Sequence, residues 1–486
     1  MWRWIIIGLL ALGSAACKMG PDYTRPETAP ADSWRLARAT SESIANLPWW
    51  ELLKDEALQS LIRESLQDNL DLQIAAANIE EFQAQLMIAK YDLVPSATYS
   101  GTAFGFRNTN SNVFPVGGGG LPVGGNNGGL SLGYQNADVG LKWELDLWGR
   151  IRRSIEAARA QLLAKEENQR VVVLGLVSSV AESYFDLRGL DYEVEITKRT
   201  LKSWDDSVRL SELRFKQGVI SKLDLDRFQA EQAGTAAHLA DLEKQVAQTE
   251  NRISLLVGRK PADIARGAHL TEQVMPPAVP PGLPSDLLQR RPDILKAEQD
   301  LAAATANIGV AEAYRFPQLA LTGAVGGAAY QTDGTSAGPF AIFKGSASVT
   351  GPIFNASALG YQVKVTEAQT QAAVAQYRKT VLTAFKETED ALIAVQKTGE
   401  QRTAQERQVA ALKSAYTLAD SRYQGGRASY LDVLTAQRSL FDAELSLART
   451  RRAQLTSVVQ LYKALGGGWR SEEHTSELQS RFGISY

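Results

Sequence analysis

Apolar residues recur at steps of three and four from Asp55 to about Val94, at Leu58, Leu61, Ile62, Leu66 and Leu70. That period predicts a helix, and Pro95 ends it. The period then drops to two. Ser96 to Phe106 alternates, and so does Val139 to Leu145, with a Gly- and Asn-rich stretch over residues 107–132 between them. Together they predict a β-hairpin within residues 96–148. From about Ile151 to Lys216 a helical pattern runs without proline, a length of about 100 Å. The turn at Gln217-Gly218 starts a return helix to about Val257. The same order follows again: a hairpin within residues 318–354, a helix from about Ala356 to Gln424, a turn at Gly425-Gly426, and a return to about Leu465. In that last helix Leu434, Phe441, Ala448, Leu455 and Tyr462 repeat every seven residues, with Leu445 and Val459 four further on. This is a coiled-coil seam, interrupted by Arg438 and Arg452 at its second position.

The repetition extends to residue identity. At a constant offset of 208, Leu210, Arg214, Gly218, Leu223, Asp224, Gln229 and Gly258 fall on Leu418, Arg422, Gly426, Leu431, Asp432, Gln437 and Gly466. Upstream, an offset of 222 carries Asp71, Ala75, Ala84, Ala89 and Pro95 onto Asp293, Ala297, Ala306, Ala311 and Pro317. The chain therefore reads as a tandem duplication, with a first repeat over residues 55–258, a linker over 259–285 and a second repeat over 286–469. Each unit is far longer than a solenoid repeat.

A net charge of −2 and a pI of about 6.1 provide no basic field for nucleic acid. The single cysteine, Cys17, has no partner for a disulfide, and His238, His269 and His474 lack ligand spacing, so no metal or cofactor is expected. The N-terminus reads as a signal peptide over residues 1–16: Arg3, a short apolar core from Ile5 to Leu12, then Ser14-Ala15-Ala16 before Cys17. Cys17 is the expected lipidation site, and residues 17–54 a lipid-anchored tether. At the other end, Arg470 to Ser480 looks like a translated sequencing adapter, so residues 470–486 are expected to be non-native. No paired carboxylates, Ser-His-Asp set or metal cluster stands out, and Gly117 to Gly120 leads into Leu-Pro rather than a phosphate-binding helix. No catalytic residue is assigned.

The two hairpins supply about four strands. An open sheet with membrane-type alternation leaves two edges that lipid does not tolerate. Two chains would give eight strands with a filled interior, and three would give twelve with a lumen. The even count and the aromatic residues Tyr99, Phe104, Phe106, Tyr134, Trp143 and Trp148 near strand ends fit a barrel built by several chains. A soluble β-domain is the alternative.

Short tags in a fixed order carry a resemblance. They are Gly20-Pro21-Asp22-Tyr23 with Arg25-Pro26, Pro48-Trp49-Trp50, Glu144 to Arg150 (ELDLWGR), Arg290-Arg291-Pro292-Asp293-Ile294, Phe316-Pro317, Pro352-Ile353-Phe354, and Tyr430 through Trp469. Over residues 17–469 the chain resembles the outer membrane factor lipoproteins, the TolC-like channels of tripartite efflux systems of the NodT type. The resemblance implies a mixed α and β membrane protein. Each chain would give four strands to a trimeric, twelve-stranded outer-membrane β-barrel, and its long helices to a coiled-coil α-helical barrel in the periplasm. Residues 259–285 would be an equatorial linker. The expected partners are two more copies, outer-membrane lipid, a periplasmic adaptor and an inner-membrane pump. The expected function is a passive exit duct for drugs and toxic amphiphiles, with protein or peptide secretion, or a non-pore helical scaffold, as alternatives.

The resemblance also implies a periplasmic gate near the hairpin tips at Gly218 and Gly426. The apolar gate position matches Leu431. The position that relatives often fill with Asp is Thr435 here, so a carboxylate ring is either absent or moved to Asp432. Tyr416, Asp420 and Arg422 are the expected links that hold the tips together.

Overall fold

The computed structural model describes residues 18–27, 34, 49–107, 113–116, 119–122, 131–273, 275, 284–332 and 335–467. The signal segment, Cys17, most of the tether and residues 470–486 lie outside the described residues. Helices α1 (Glu56–Asp68) and α2 (Leu70–Tyr91) lead into β1 (Ser96–Arg107), and short β2 (Val113–Val116) and β3 (Gly119–Pro122) precede β4 (Ser131–Leu145). Then come α3 (Arg150–Lys216), α4 (Lys222–Leu256), α5 (Pro292–Ala313), β5 (Gln318–Thr332), β6 (Thr335–Thr350), α6 (Ala356–Gln424) and α7 (Tyr430–Ala464). The chain divides into two compact units. One comprises Met1–Arg25, Glu81–Leu162 and Gln299–Val374; the other comprises Pro26–Glu80, Leu163–Glu298 and Ala375–Tyr486. Each unit therefore draws on both halves of the sequence.

Three details depart from the sequence expectation. The first predicted helix is two: Asn69 leaves the helical region, and its Oδ1 accepts the amides of Asp71 (2.8 Å) and Leu72 (3.2 Å), capping α2. Its Nδ2 donates to the Leu256 carbonyl (2.8 Å), which ties the break to the end of α4. The Gly- and Asn-rich stretch contains the β2–β3 hairpin. β4 and β6 begin earlier than the shortest alternating runs indicate.

The first unit holds one antiparallel sheet in the order β1-β4-β5-β6. Register separates its two faces cleanly. Ala97, Tyr99, Val139, Leu141, Trp143, Leu321, Val325, Phe343 and Val349 share one face by pairing and alternation. Several are strongly exposed, Tyr99 at 91% and Phe343 at 79%. The other face carries Thr98, Ser100, Asn136, Asp138, Lys142, Thr322, Lys344 and Ser346. There Ser100 Oγ donates to Asp138 (3.0 Å), and Thr322 and Ser346 hydroxyls meet at 2.7 Å. Water-soluble sheets bury their apolar face; this one leaves it open. No helix among the described residues is long and apolar enough to cross a membrane.

The second unit is helical. Leu58 and Ile62 of α1, Val180, Tyr184 and Phe185 of α3, Ile253 of α4, and Leu455, Val459 and Tyr462 of α7 form one buried cluster. Burying each such side chain contributes about 1.5–3 kcal/mol. The predicted seam of α7 lies in the interior at Leu445, Ala448, Leu455, Val459 and Tyr462, while Leu434 and Phe441 are half-buried. The two seam arginines turn outward to carboxylates: Arg438 stands 3.7 Å from Glu231 and Arg452 stands 3.6 Å from Asp186.

Candidate channel site: hairpin tips and anchoring motifs

Both long hairpins turn by the same device. Gly218 and Gly426 have φ of +71° and +70°, which an L side chain adopts only with strain. At the first tip Gly218 N–H donates to the Phe215 carbonyl (2.9 Å) and Val219 N–H to that of Arg214 (2.9 Å). At the second, Gly426 donates to Tyr423 (3.0 Å) and Arg427 to Arg422 (2.7 Å). These paired bonds satisfy the last carbonyls of each helix. Serine then starts the return helix. Ser221 Oγ accepts the Asp224 amide (3.1 Å), and Ser429 with Asp432 forms a capping box.

The predicted gate residues surround this second cap. Asp432 Oδ2 accepts from the amide (3.0 Å) and hydroxyl (2.9 Å) of Ser429. Its carboxylate is thus a helix cap on an exposed side chain. Leu431 is 53% exposed. Thr435, also exposed, lies one turn on from both. The three expected link residues are not joined to one another. Tyr416 Oη lies 3.5 Å from Ser203 Oγ, Asp420 accepts from Gln424 of its own helix (2.8 Å), and exposed Arg422 uses its carbonyl in the turn.

What holds the two tips together within one chain is aromatic. Tyr430 is 9% exposed and lies 3.7 Å, centroid to centroid, from Phe228 of α4. Trp204 and Val208 complete the cluster, and Tyr423 and Leu434 pack against it. Arg214 caps the Tyr423 ring at 4.9 Å as a cation–π pair. Burial, with the Glu231 charge second, pushes the Tyr430 phenol far up, so it stays neutral. A signal for Tyr430 existed in the sequence, since the 208 offset sets it opposite Lys222. An aromatic replaces a cation where the two copies should match.

Several of the remaining tags prove to be joints. In the ELDLWGR segment, Arg150 makes two bonds to Glu144 (3.0 and 2.9 Å), and Asp146 accepts the first amides of α3 from Ile151 (3.1 Å) and Arg152 (3.0 Å). Trp148 stacks on Phe316 at 4.8 Å and donates to the Pro317 carbonyl (2.7 Å), so two tags meet. The buried Arg153 donates to the carbonyls of Met19 (2.8 Å) and Gly20 (2.7 Å). There the N-terminal segment crosses α5 at Gly309, so closely that a Cβ on Gly20 would sit 2.5 Å from the Gly309 Cα. Arg291 donates to the Ala464 carbonyl at the end of α7 (2.9 Å), to both oxygens of Asp293 (3.0 and 2.7 Å) and to Glu387 (2.6 Å).

An outer membrane efflux protein family model matches residues 61–259 and 283–467. The chain belongs to the outer membrane efflux protein family. The toluene efflux pump outer membrane protein TtgC of Pseudomonas putida is 36% identical over 474 residues, 96% of this chain and 95% of that protein. The solvent efflux pump outer membrane protein SrpC of Pseudomonas putida is 37% identical over 475 residues, covering 96% and 97%. The open-state MtrE outer membrane channel of Neisseria gonorrhoeae superposes with a TM-score of 0.79 at 30% identity, covering 93% of this chain and 99% of that one. As an outer membrane efflux protein, the chain is the outer-membrane duct of an efflux system and extends into the periplasm. Four of the tags of this family member thus bind strands, helices and the N-terminal segment to one another.

Proposed function

We propose that three copies close one twelve-stranded barrel and form a passive exit duct. An inner-membrane pump would drive it through a periplasmic adaptor. The observation that carries this reading is the sheet: one chain has open edges at β1 and β6 and an apolar face turned outward. Closure needs other copies, because lipid leaves unpaired edge amides unsatisfied. Apolar residues flank both edges. Tyr91 and Val94 precede β1 at 67% and 54% exposed, and Ile353 and Phe354 follow β6 at 80% and 100%. Pairing β6 of one copy with β1 of the next would cover them, as a ring requires. The family match in two segments supports a tandem duplication behind this symmetry. The names of TtgC and SrpC, for toluene and solvent efflux pumps, support small apolar molecules as cargo.

The test is oligomeric mass after extraction in mild detergent, with the membrane fraction recorded. A trimer from the outer membrane is expected. Phe354→Asp should leave monomers, since an unpaired carboxylate would be buried at every interface at about 3–5 kcal/mol each. A trimeric Phe354→Asp would remove the contact, and a monomeric parent would remove the barrel.

Leu431, Asp432 and Thr435 are proposed to line the periplasmic constriction. Three symmetry-related carboxylates there would favour cations and repel one another. Leu431→Ser and Asp432→Ala should each raise single-channel conductance, and Asp432→Ala should also cost about 1 kcal/mol through the lost cap. If both variants conduct like the parent, the gate lies elsewhere. Cys17 as lipid anchor is a further part of this proposal, open to intact mass measurement.

A further inference from the structure

The polar face of the sheet carries one row of residues that breaks its own pattern. Phe104 on β1 pairs in register with Tyr134 on β4, which pairs with Tyr330 on β5; Phe340 on β6, the partner of Ala328 beside a register shift, continues the row diagonally. The rings touch in sequence, with centroids 5.8, 5.2 and 6.4 Å apart. Every strand of the sheet contributes one ring. Alternation sets them on the face of Ser100, Asp138 and Lys344, opposite the outward apolar face.

Their height and neighbours exclude a lipid anchor. Phe104 lies eight residues along β1 from Ser96, about 26 Å from the end where the helices join. An interfacial girdle belongs on the lipid side of a barrel. At this level that side holds Ala103, Gly105, Gly133, Gln135, Ala329 and Gln331. Cross-strand ring pairs also fix register. Yet Phe104, Tyr330 and Phe340 remain 52%, 46% and 52% exposed, so much of their π surface faces outward from the sheet. On the same face of β4, Asp138 stands four residues from Tyr134 and accepts from Asn136 at 2.8 Å. Tilted π faces above a wall that carries both Asp138 and Lys344 suit flat aromatic solutes.

We propose that Phe104, Tyr134, Tyr330 and Phe340 form an aromatic band on the inner wall of the duct, near its outer mouth, that transiently holds planar aromatic solutes. The band rests on the barrel reading above, in which three rows join around the wall. It is a last adsorption step before release, set apart from the constriction at the hairpin tips.

The probe is ethidium, with tetraethylammonium as a cation lacking π faces. Ethidium fluorescence anisotropy is measured against the detergent-extracted full chain, with the mass of the same sample recorded. The parent trimer should bind ethidium saturably, and tetraethylammonium should compete poorly. Tyr134→Leu/Tyr330→Leu keeps apolar bulk but removes the π faces, and it should weaken binding about tenfold. Tyr134→Phe/Tyr330→Phe should stay within about twofold. Phe340→Leu, on the edge strand, gives the same test at a smaller expected loss of about threefold should the double variant not assemble. A parent trimer without saturable binding, or Leu variants that bind like the parent, would overturn the band and leave the barrel standing. A parent that forms no trimer fails at the barrel, and the band falls with it.

Discussion

Asp55→Ala is expected to destabilise the helical unit by about 3–5 kcal/mol. Asp55 is 2% exposed and accepts five hydrogen bonds. Its Oδ1 takes the amides of Ala57 (3.1 Å) and Leu58 (3.2 Å) and so caps α1. Its Oδ2 takes Tyr184 Oη (2.9 Å), the Ala268 amide (3.2 Å) and Gln273 Nε2 (2.6 Å). One carboxylate therefore joins the start of α1, the middle of α3 and the segment after α4. Alanine would leave the Leu58 amide and the Tyr184 hydroxyl without this acceptor in the buried core, and three more donors without it in part-buried positions. Asn keeps one acceptor oxygen and should lose about half as much, because its amide opposes other donors. Urea unfolding followed by helical circular dichroism gives the comparison. An Asp55→Ala midpoint equal to the parent would remove Asp55 as a joint. The Tyr184 phenol adds a pH signature. Burial and the Asp55 charge raise its pKa above the ordinary value, so the folded state keeps the proton longer than the unfolded one. Its contribution is complete below pH ~10 and is lost as pH rises past that value. Tyr184→Phe should flatten that alkaline decline.

Arg291→Met should cost about 2–4 kcal/mol. The arginine is 7% exposed and ties the end of α7 to the start of α5 and to Glu387 of α6. The cost stays below that of Asp55→Ala because Asp293 and Glu387 are 33% and 48% exposed, so water partly solvates them once stranded. Lysine has one point charge for a site that uses a planar fork, and it should recover less than half the loss. The same urea series, with protease sensitivity at the end of α7 as a second readout, separates the variants. Full recovery by lysine would mean that charge alone, without the fork, holds the joint.

The Asp55 joint also marks where the sequence is silent. The long helices, both hairpin turns and the four principal strands are legible, because proline, glycine and a change of period announce them. Arg214, Gly218 and Gly258 occupy turns and helix ends equivalent to those of Arg422, Gly426 and Gly466. The break at Asn69 has neither proline nor glycine, and it depends on the Leu256 carbonyl far along the chain. Gly20 is readable as a tag, but its reason is Gly309 and the Arg153 guanidinium. The interleaving of both halves in each compact unit is likewise hidden, since similarity between segments does not say which of them pack together. At the tips, Leu431, Asp432 and Thr435 are pointed to by the family resemblance, and their gate role is the proposal made above. The cap formed by Asp432 and the ring contact between Tyr430 and Phe228 depend on turn geometry and on packing between helices, which no local pattern announces.

The two open edges of the sheet have a consequence for the chain before it reaches its destination. A newly exported copy offers two edges, β1 and β6, each with unpaired N–H and C=O groups, to every other copy it meets. In the proposed trimer, ring closure and open-ended polymerisation would begin with the same encounter and diverge when a third copy returns to the first. Overproduction raises the rate of further addition but leaves the rate of closure unchanged. Escort by a periplasmic holdase, rather than intrinsic folding speed, should therefore set how much of this chain a cell can export without fibrous aggregates.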